Sequence, residues 1–111
     1  MVKSVILCTS DEVPGRRIVE CFGLVRGSTV RGRHVGRDIW AWLKNLVGGE
    51  IDDYTKLLAE AREQALDRLV AEARVLGADA VVGLRVATSQ IAAGAAEILA
   101  YGTAVKLDPR E

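Results

Sequence analysis

The sequence has few of the side chains on which metal sites and active sites depend. It contains two cysteines, Cys8 and Cys21, and one histidine, His34. Structural zinc sites usually take two ligands from one tight turn, as in Cys-x-x-Cys, and no such pair occurs in this sequence. A single histidine without a Gly-x-Ser-x-Gly motif provides no nucleophile with a neighbouring base. These absences favour a binding or scaffold protein over an enzyme.

Net charge and long apolar runs are missing as well. Fifteen basic and fifteen acidic side chains cancel, which removes the electrostatic argument for nucleic acid as a partner. No apolar run is long enough to cross a bilayer, and the first residues have too short an apolar stretch for a signal peptide. Two isolated thiols without a cysteine framework are typical of a reducing compartment. We therefore expect a cytoplasmic protein with no membrane partner.

The composition that is present is that of one globular domain over residues 1–111. Half of the residues are hydrophobic and 27% are charged. The pattern predicts a short helix at about 37–47, a long helix at about 51–77, and strands at 2–9, 17–30, 80–88 and 97–107. Strands at both ends around helices predict an α+β domain with two layers, in which an antiparallel sheet carries the long helix on one face.

Glycine and proline mark the irregular positions in this pattern. Pro14-Gly15 suits a type II turn between the first two strands. Gly23 and Gly27 suggest bulges or bends in the second strand. The small residues at 89–97 are predicted to extend the hairpin of the last two strands. Gly77 stands where the left-handed residue after a long helix is favoured.

A soft metal ion is one candidate ligand, with Cys8, Cys21 and His34 as its carriers. Gaps of thirteen residues separate them. In a two-residue hairpin on Pro14-Gly15, Cys8 would face Cys21, but a type II turn suits such a hairpin poorly and favours a longer loop. The alternative is that both thiols are small buried apolar groups and that His34 bonds to the backbone.

The alternative function is a small-anion or nucleotide-binding protein, or an enzyme, that uses Arg33, His34 and Arg37 in the loop before the short helix. Residues 27–34 have the glycine spacing of a P-loop, but Arg33-His34 stands where Lys-Ser/Thr is required. Gly36-Arg37-Asp38 opens the short helix, and a helix start among arginines is a generic anion position. Asp38 as the cap of that helix is the alternative.

The short helix is the candidate oligomer interface. Its apolar side chains occupy well over half of its circumference, and a domain of this size rarely buries a helix all round. Tryptophan is also favoured at the centre of protein contacts. The predicted interface residues are Ile39, Trp40, Trp42, Leu43, Leu46 and Val47.

Charge is unevenly distributed although it sums to zero. Six arginines stand between residues 16 and 37 against one acid, Glu20, before Asp38. Seven acids stand between residues 50 and 72 against three basic residues. The two halves are either ordinary solvated faces or complementary patches for contact between subunits. Two further polar residues in the last strands, Arg85 and Glu97, could line a pocket, although such residues more often face solvent.

Several segments together carry a family resemblance. They are IVECFGLVRGSTVRGRHVGRDIWAWLKNLVGGEIDDY, LLAEAREQALDRLVAEARVLGADAVVGLRV and ILAYGTAVKL, and the likeness extends over residues 2 to 107. The most specific pieces are GRD at 36–38, GG at 48–49, LGADAVVG at 76–83 and GTAV at 102–105. In this order and spacing, the chain resembles the YbjQ-like family of small proteins.

The resemblance implies properties that the residues alone do not. It implies a dodecin-like β/α fold, assembly as a cytoplasmic homopentamer, and a function that is not assigned. The family is labelled as heavy-metal-binding, which implies a divalent or soft metal ion as the ligand. The chain departs from the family where members commonly carry an aromatic residue after the IVE motif, since Cys21 stands there before Phe22.

Overall fold

The computed structural model describes residues 4–31, 51–92 and 95–109, with the side chains of residues 4–29, 58–89 and 97–109. The elements are β1 (Ile6–Leu7), β2 (Ile18–Arg31), α1 (Ile51–Val75), β3 (Ala80–Ala92) and β4 (Ala95–Leu107). The α+β class is confirmed, with one sheet and the long helix in the predicted order. The predicted short helix at about 37–47 lies outside the described residues.

The sheet is mixed. Its strand order is β1–β3–β4–β2. Both β2 and β3 run antiparallel to β4, as predicted, whereas β1 runs parallel to β3. The prediction of a purely antiparallel sheet is therefore wrong at one edge. The residues after β1 cross the sheet instead of turning back as a hairpin, so β1 pairs with the strand whose direction it shares.

The segment that makes this crossing, residues 8–17, is called the covering loop. Val13 in this loop is 7% exposed and packs on the sheet face that does not contact α1, against Ala80, Val82, Val105 and Leu107. The amide of Gly83 donates a hydrogen bond of 2.8 Å to the carbonyl oxygen of Ser10, which ties the loop to β3. We call this side of the sheet the outer face.

The turn inside the covering loop has the predicted form. The amide of Arg16 donates to the carbonyl oxygen of Val13 over 3.0 Å, and Gly15 has a φ of 76°. A hydrogen bond across four residues, with a positive φ at the third, defines a type II turn, and Pro14 supplies the fixed φ at the second. The turn therefore orients the chain across the sheet while β1 and β2 lie at opposite edges.

The helix α1 packs on the other face, chiefly over β2. Its buried residues recur at spacings of four, as predicted, and are Ala61, Ala65, Leu69 and Ala73. Small side chains let the helix approach the strand closely. A Cβ on Gly27 would lie less than 3.0 Å from the backbone of Ala65, Arg68 and Leu69. Gly27 therefore marks the crossing point of helix and strand, not the bulge that its position suggested.

Hydrogen bonds fix α1 beside that crossing point. The buried hydroxyl of Thr29 donates to the carbonyl oxygen of Ala61 over 3.1 Å, and Arg68 donates to the carbonyl oxygen of Ser28. The helix ends at Val75, and Gly77 follows with a φ of 77°, as predicted. Within the described part of the chain, no helix is long and apolar enough to cross a membrane.

The bulge predicted near Gly23 is present. The register of β2 against β4 shifts between Cys21 and Gly23, where Gly23 has a φ of 98°. The predicted extension of the last hairpin is confirmed, because β3 continues to Ala92 and β4 begins at Ala95. The two long strands of this hairpin and β2 together form the surface on which the candidate site lies.

Candidate functional site

The structure does not bring the two cysteines together. Cys8 follows β1, where its amide donates to the carbonyl oxygen of Val81 over 2.9 Å. Cys21 lies in β2, at the opposite edge of the sheet. Three strand spacings of about 4.8 Å each separate the two edges, which is about 14 Å. Within one chain, the thiols are therefore too far apart for a disulfide or for one zinc ion that each binds at about 2.3 Å.

The exposure of the thiols also differs from the alternative in which both are buried. Cys8 is half-buried and packs against the cluster under the covering loop, whereas Cys21 is exposed. The prediction of two buried thiols is wrong for Cys21, because β2 is an edge strand and α1 covers only its other face. Among the described residues, no group of three or more His, Cys, Asp or Glu side chains is placed to hold a metal ion.

The other candidate residues lie outside the described residues. These are His34 of the metal set, Arg33, His34 and Arg37 of the anion set, and the interface residues Ile39, Trp40, Trp42, Leu43, Leu46 and Val47. Each of these assignments stays a prediction from the sequence.

A different group of side chains meets on the outer face. Arg26 in β2 is paired with Tyr101 in β4, and Tyr101 is paired on its other side with Arg85 in β3. Residues directly opposite each other in a sheet present their side chains on the same face. Their neighbours Val25 and Ala100 are buried under α1, so the three side chains lie on the outer face. We call Arg26, Tyr101 and Arg85 the basic row.

The side chains of the basic row are exposed, and no described carboxylate pairs with its positive charge. Both arginines are exposed, and Tyr101 is 37% exposed. Within the described part of the chain, no salt bridge joins either guanidinium to a carboxylate. Two strand spacings, about 10 Å, separate the backbones of the two arginines, with the phenol ring between them. The row therefore presents two guanidinium groups on either side of one aromatic ring.

One of these arginines is held in place. Nη1 of Arg85 donates to the carbonyl oxygens of Thr9 and Leu84, each over 2.8 Å. Thr9 belongs to the covering loop, so the loop orients this guanidinium at the border of the open part of the outer face. The other N–H groups of Arg85 form no hydrogen bond with the described residues. A guanidinium anchored through one nitrogen keeps its remaining donors available for an anion.

Apolar side chains border the row. Leu24, two residues before Arg26, is 62% exposed, and its strand partner Thr103 is half-buried. On the other side of the row, Leu99 is half-buried between Ser28 and Ala87. On the strands, apolar and small side chains therefore lie on both sides of the row, and a flat apolar group can rest against the sheet there.

Arg85 stands out in the sequence as a polar interruption of an apolar strand, but no local pattern indicates the row. Arg26 and Tyr101 are each one of the outward-facing residues that alternate with buried ones along a strand, and 75 positions separate them in the sequence. Only the register of β4 between β2 and β3 brings the three together. The sequence suggests Glu97, like Arg85, as a residue that could line a pocket. It is half-buried and paired with Ser89, and it lies four residues before Tyr101 in β4.

Exposed acids form a patch on α1, although Arg62, Arg68 and Arg74 are exposed on the same helix. Glu60, Glu63 and Asp67 are exposed, and their spacing of three and four residues places them on one side of the helix. Because α1 lies on the opposite side of the sheet from the basic row, these acids cannot compensate Arg26 within one chain. Arg26 and this acidic patch therefore lie on opposite faces of the sheet.

Comparisons with known proteins agree with this architecture. A family model described as "Putative heavy-metal-binding", of the YbjQ family, matches residues 5–108. In solved structures, a protein of unknown function from Pediococcus pentosaceus, assigned to the DUF74 family, matches with a TM-score of 0.63. It is 17% identical, and the match covers 94% of this chain and 98% of that chain. At this identity, the likeness supports the fold alone.

Relatives of high identity cover the same length. A UPF0145 protein of Archaeoglobus fulgidus is 58% identical over 107 residues, which are 96% of this chain and 99% of the relative. A UPF0145 protein of Methanoculleus marisnigri is 60% identical over 106 residues, with the same coverage. One from Thermus thermophilus is 53% identical over 108 residues, covering 97% of this chain and 95% of the relative. The resemblance found in the sequence is confirmed, and the chain belongs to the YbjQ family of UPF0145 proteins.

Proposed function

We propose that this chain is a cytoplasmic binding or scaffold protein that assembles from identical copies. The observation that carries the proposal is the edge strand β2. It is 14 residues long, and no other described segment pairs with its free edge. An edge strand of this length presents a row of unpaired backbone N–H and C=O groups, which is a template for another chain.

Apolar exposure along β2 supports the same proposal. Val19 is 47% exposed and Leu24 is 62% exposed. Natural proteins usually protect a long edge strand with charge, proline or a covering segment, and apolar side chains there mark a contact surface. The short helix predicted from the sequence, with Trp40 and Val47, follows β2 along the chain, and its apolar composition supports the same proposal. The family resemblance implies five copies, whereas the exposed apolar surface requires only more than one.

The assembly is tested by light scattering of purified protein at micromolar concentration. We expect the wild type to have the mass of several subunits. Leu24→Lys and the double variant Trp40→Lys/Val47→Lys should shift the mass toward the monomer, because each charged anchor costs about 2 kcal/mol or more per interface. Val75→Lys is the matched control, since Val75 is 87% exposed at the end of α1. A monomeric wild type, or full mass in both variants, would contradict the proposal.

For the ligand, we propose a soft metal ion as the leading class. The family description supports it, and Cys21 offers an exposed thiol. Because Cys8 and Cys21 lie at opposite edges of the sheet, they would contribute to different sites, and further ligands would come from His34 or from another copy.

Elemental analysis after zinc or copper loading tests this assignment. We expect metal bound in proportion to protein in the wild type, a loss in Cys21→Ala, and retention in Cys8→Ala, whose thiol is packed under the covering loop. Circular dichroism of each variant checks that the fold is intact. A wild type that binds no metal after loading, or a Cys21→Ala variant that keeps its metal, would rule out this site.

A further inference from the structure

We propose that the basic row of Arg26, Tyr101 and Arg85 binds a nucleoside phosphate. The base would stack on the phenol ring, and the phosphate would accept hydrogen bonds from the flanking guanidinium groups. This site is independent of the proposed metal ligand and of the loop around Arg33, His34 and Arg37, on which the sequence placed its anion candidate.

The charge of the row selects an anion. The two guanidinium groups belong to strands whose backbones are about 10 Å apart, and neither has a carboxylate partner in the described part of the chain, so an anion that contacts both gains from two charges. Guanidinium binds phosphate through two parallel hydrogen bonds, which makes it a better partner for this group than an ammonium. Among the described residues, Asp11 and Glu12 in the covering loop and Glu97 in β4 also carry carboxylates on this side, and none of them forms a salt bridge with the row.

The phenol ring between the arginines favours an anion that carries an aromatic group over inorganic phosphate. Tyr101 is 37% exposed on a sheet, where its ring lies among rigid backbone neighbours and loses little freedom when a base stacks on it. Stacking of a base on an aromatic side chain is sequence-tolerant and contributes as much as a charge contact. Leu99, on the neighbouring row, extends the apolar area around the ring.

The row fits a mononucleotide better than a nucleic acid strand. A strand needs a basic groove along its backbone and several stacking platforms. Among the described residues, the open strands of this face have one aromatic ring and two arginines, and Arg16 and Arg17 lie apart from them in the covering loop. The anchoring of Arg85 to the carbonyl oxygen of Thr9 also fixes one phosphate partner in place before the ligand arrives, which reduces the entropic cost of binding.

Isothermal titration calorimetry with adenosine monophosphate tests the proposal, with adenosine and inorganic phosphate as the two halves of the ligand. We expect the nucleotide to bind at least about tenfold more tightly than either half. Arg26→Gln should weaken it by about tenfold, because one of two phosphate partners is lost. Arg62→Gln is the matched control, because Arg62 is an exposed arginine of α1, away from the outer face.

The aromatic part of the site is tested separately. Tyr101→Phe keeps the ring and should keep the affinity for adenosine monophosphate, whereas Tyr101→Leu keeps an apolar side chain suited to the strand and should weaken binding at least fivefold, by about 1 kcal/mol. Light scattering should show that each variant retains the assembly mass of the wild type, which distinguishes a loss of ligand binding from a loss of assembly.

The outcomes that overturn the proposal are specific. They are no binding of the nucleotide at about 1 mM, equal affinity in Arg26→Gln and Arg62→Gln, or inorganic phosphate that binds as tightly as the nucleotide. An oligonucleotide that binds more tightly than the nucleotide per site would assign the face to nucleic acid. Amide shifts in nuclear magnetic resonance that map to residues 33–37, and not to the basic row, would place the anion at the loop predicted from the sequence.

Discussion

Replacing Gly27 with alanine is expected to lower the free energy of unfolding by about 3 kcal/mol. The new Cβ would lie within 3.0 Å of backbone atoms of Ala65, Arg68 and Leu69, so no side-chain rotation relieves the overlap. Helix α1 must move away from β2, which also loosens the hydrogen bond from Thr29 to the carbonyl oxygen of Ala61. Urea unfolding followed by circular dichroism, at one fixed protein concentration, measures the change.

Gly77→Ala is the matched control for this substitution. Gly77 has a φ of 77°, and no atom lies within 4 Å of the place that a Cβ would occupy there. Alanine at this position should therefore lower the free energy of unfolding only by the strain of a left-handed backbone conformation, about 1 kcal/mol. The difference between the two variants isolates the overlap with the helix. Equal losses in both variants would show that α1 and β2 are not in backbone contact at Gly27.

Truncation of Leu69 to alanine is expected to destabilise the protein by about 3 kcal/mol. Among the described side chains of α1, Leu69 is the largest that is fully buried in the core between helix and sheet. Its neighbours along the helix, Ala65 and Ala73, are too small to fill the space that its removal leaves. The same urea experiment measures the loss, which should appear as a lower midpoint with an unchanged slope.

Leu76→Ala provides the control for the truncation. Leu76 is 42% exposed just after the end of α1. Its truncation should therefore lower the free energy of unfolding by much less than the truncation of Leu69 does. A loss in Leu69→Ala that is no larger than in Leu76→Ala would contradict the packing of α1 on β2. The comparison also tests where the buried face of the helix ends, because Leu69 is buried and Leu76 is 42% exposed.

The helix and the long strands could be predicted because their signals are local. A spacing of three and four residues fixes one face of α1, and Gly77 permits the left-handed residue that ends it. The two terminal strands alternate between apolar and small or polar residues, and the type II turn depends on two adjacent residues, Pro14 and Gly15. Each of these features depends on backbone preferences within a few positions.

The direction of β1 could not be predicted from local signals. A turn at Pro14-Gly15 between two strands suggests neighbours, but the apolar Val13 is buried when the loop crosses the outer face. The burial of Val13 against Val82, Val105 and Leu107 is a contact between residues far apart in sequence, and it competes with hairpin pairing. The same crossing separates Cys8 from Cys21, so the metal set assembled from the sequence does not form one site in a chain.

The sequence by itself determined the α+β class, the bounds of α1 within two residues, and the family. Only the tertiary structure decided the mixed sheet, the edge position of β2 and the meeting of Arg26, Tyr101 and Arg85. The physical reason is the range of the interactions. Helix periodicity and turn conformation act over a few residues, whereas strand order and register depend on which distant apolar side chains are buried together.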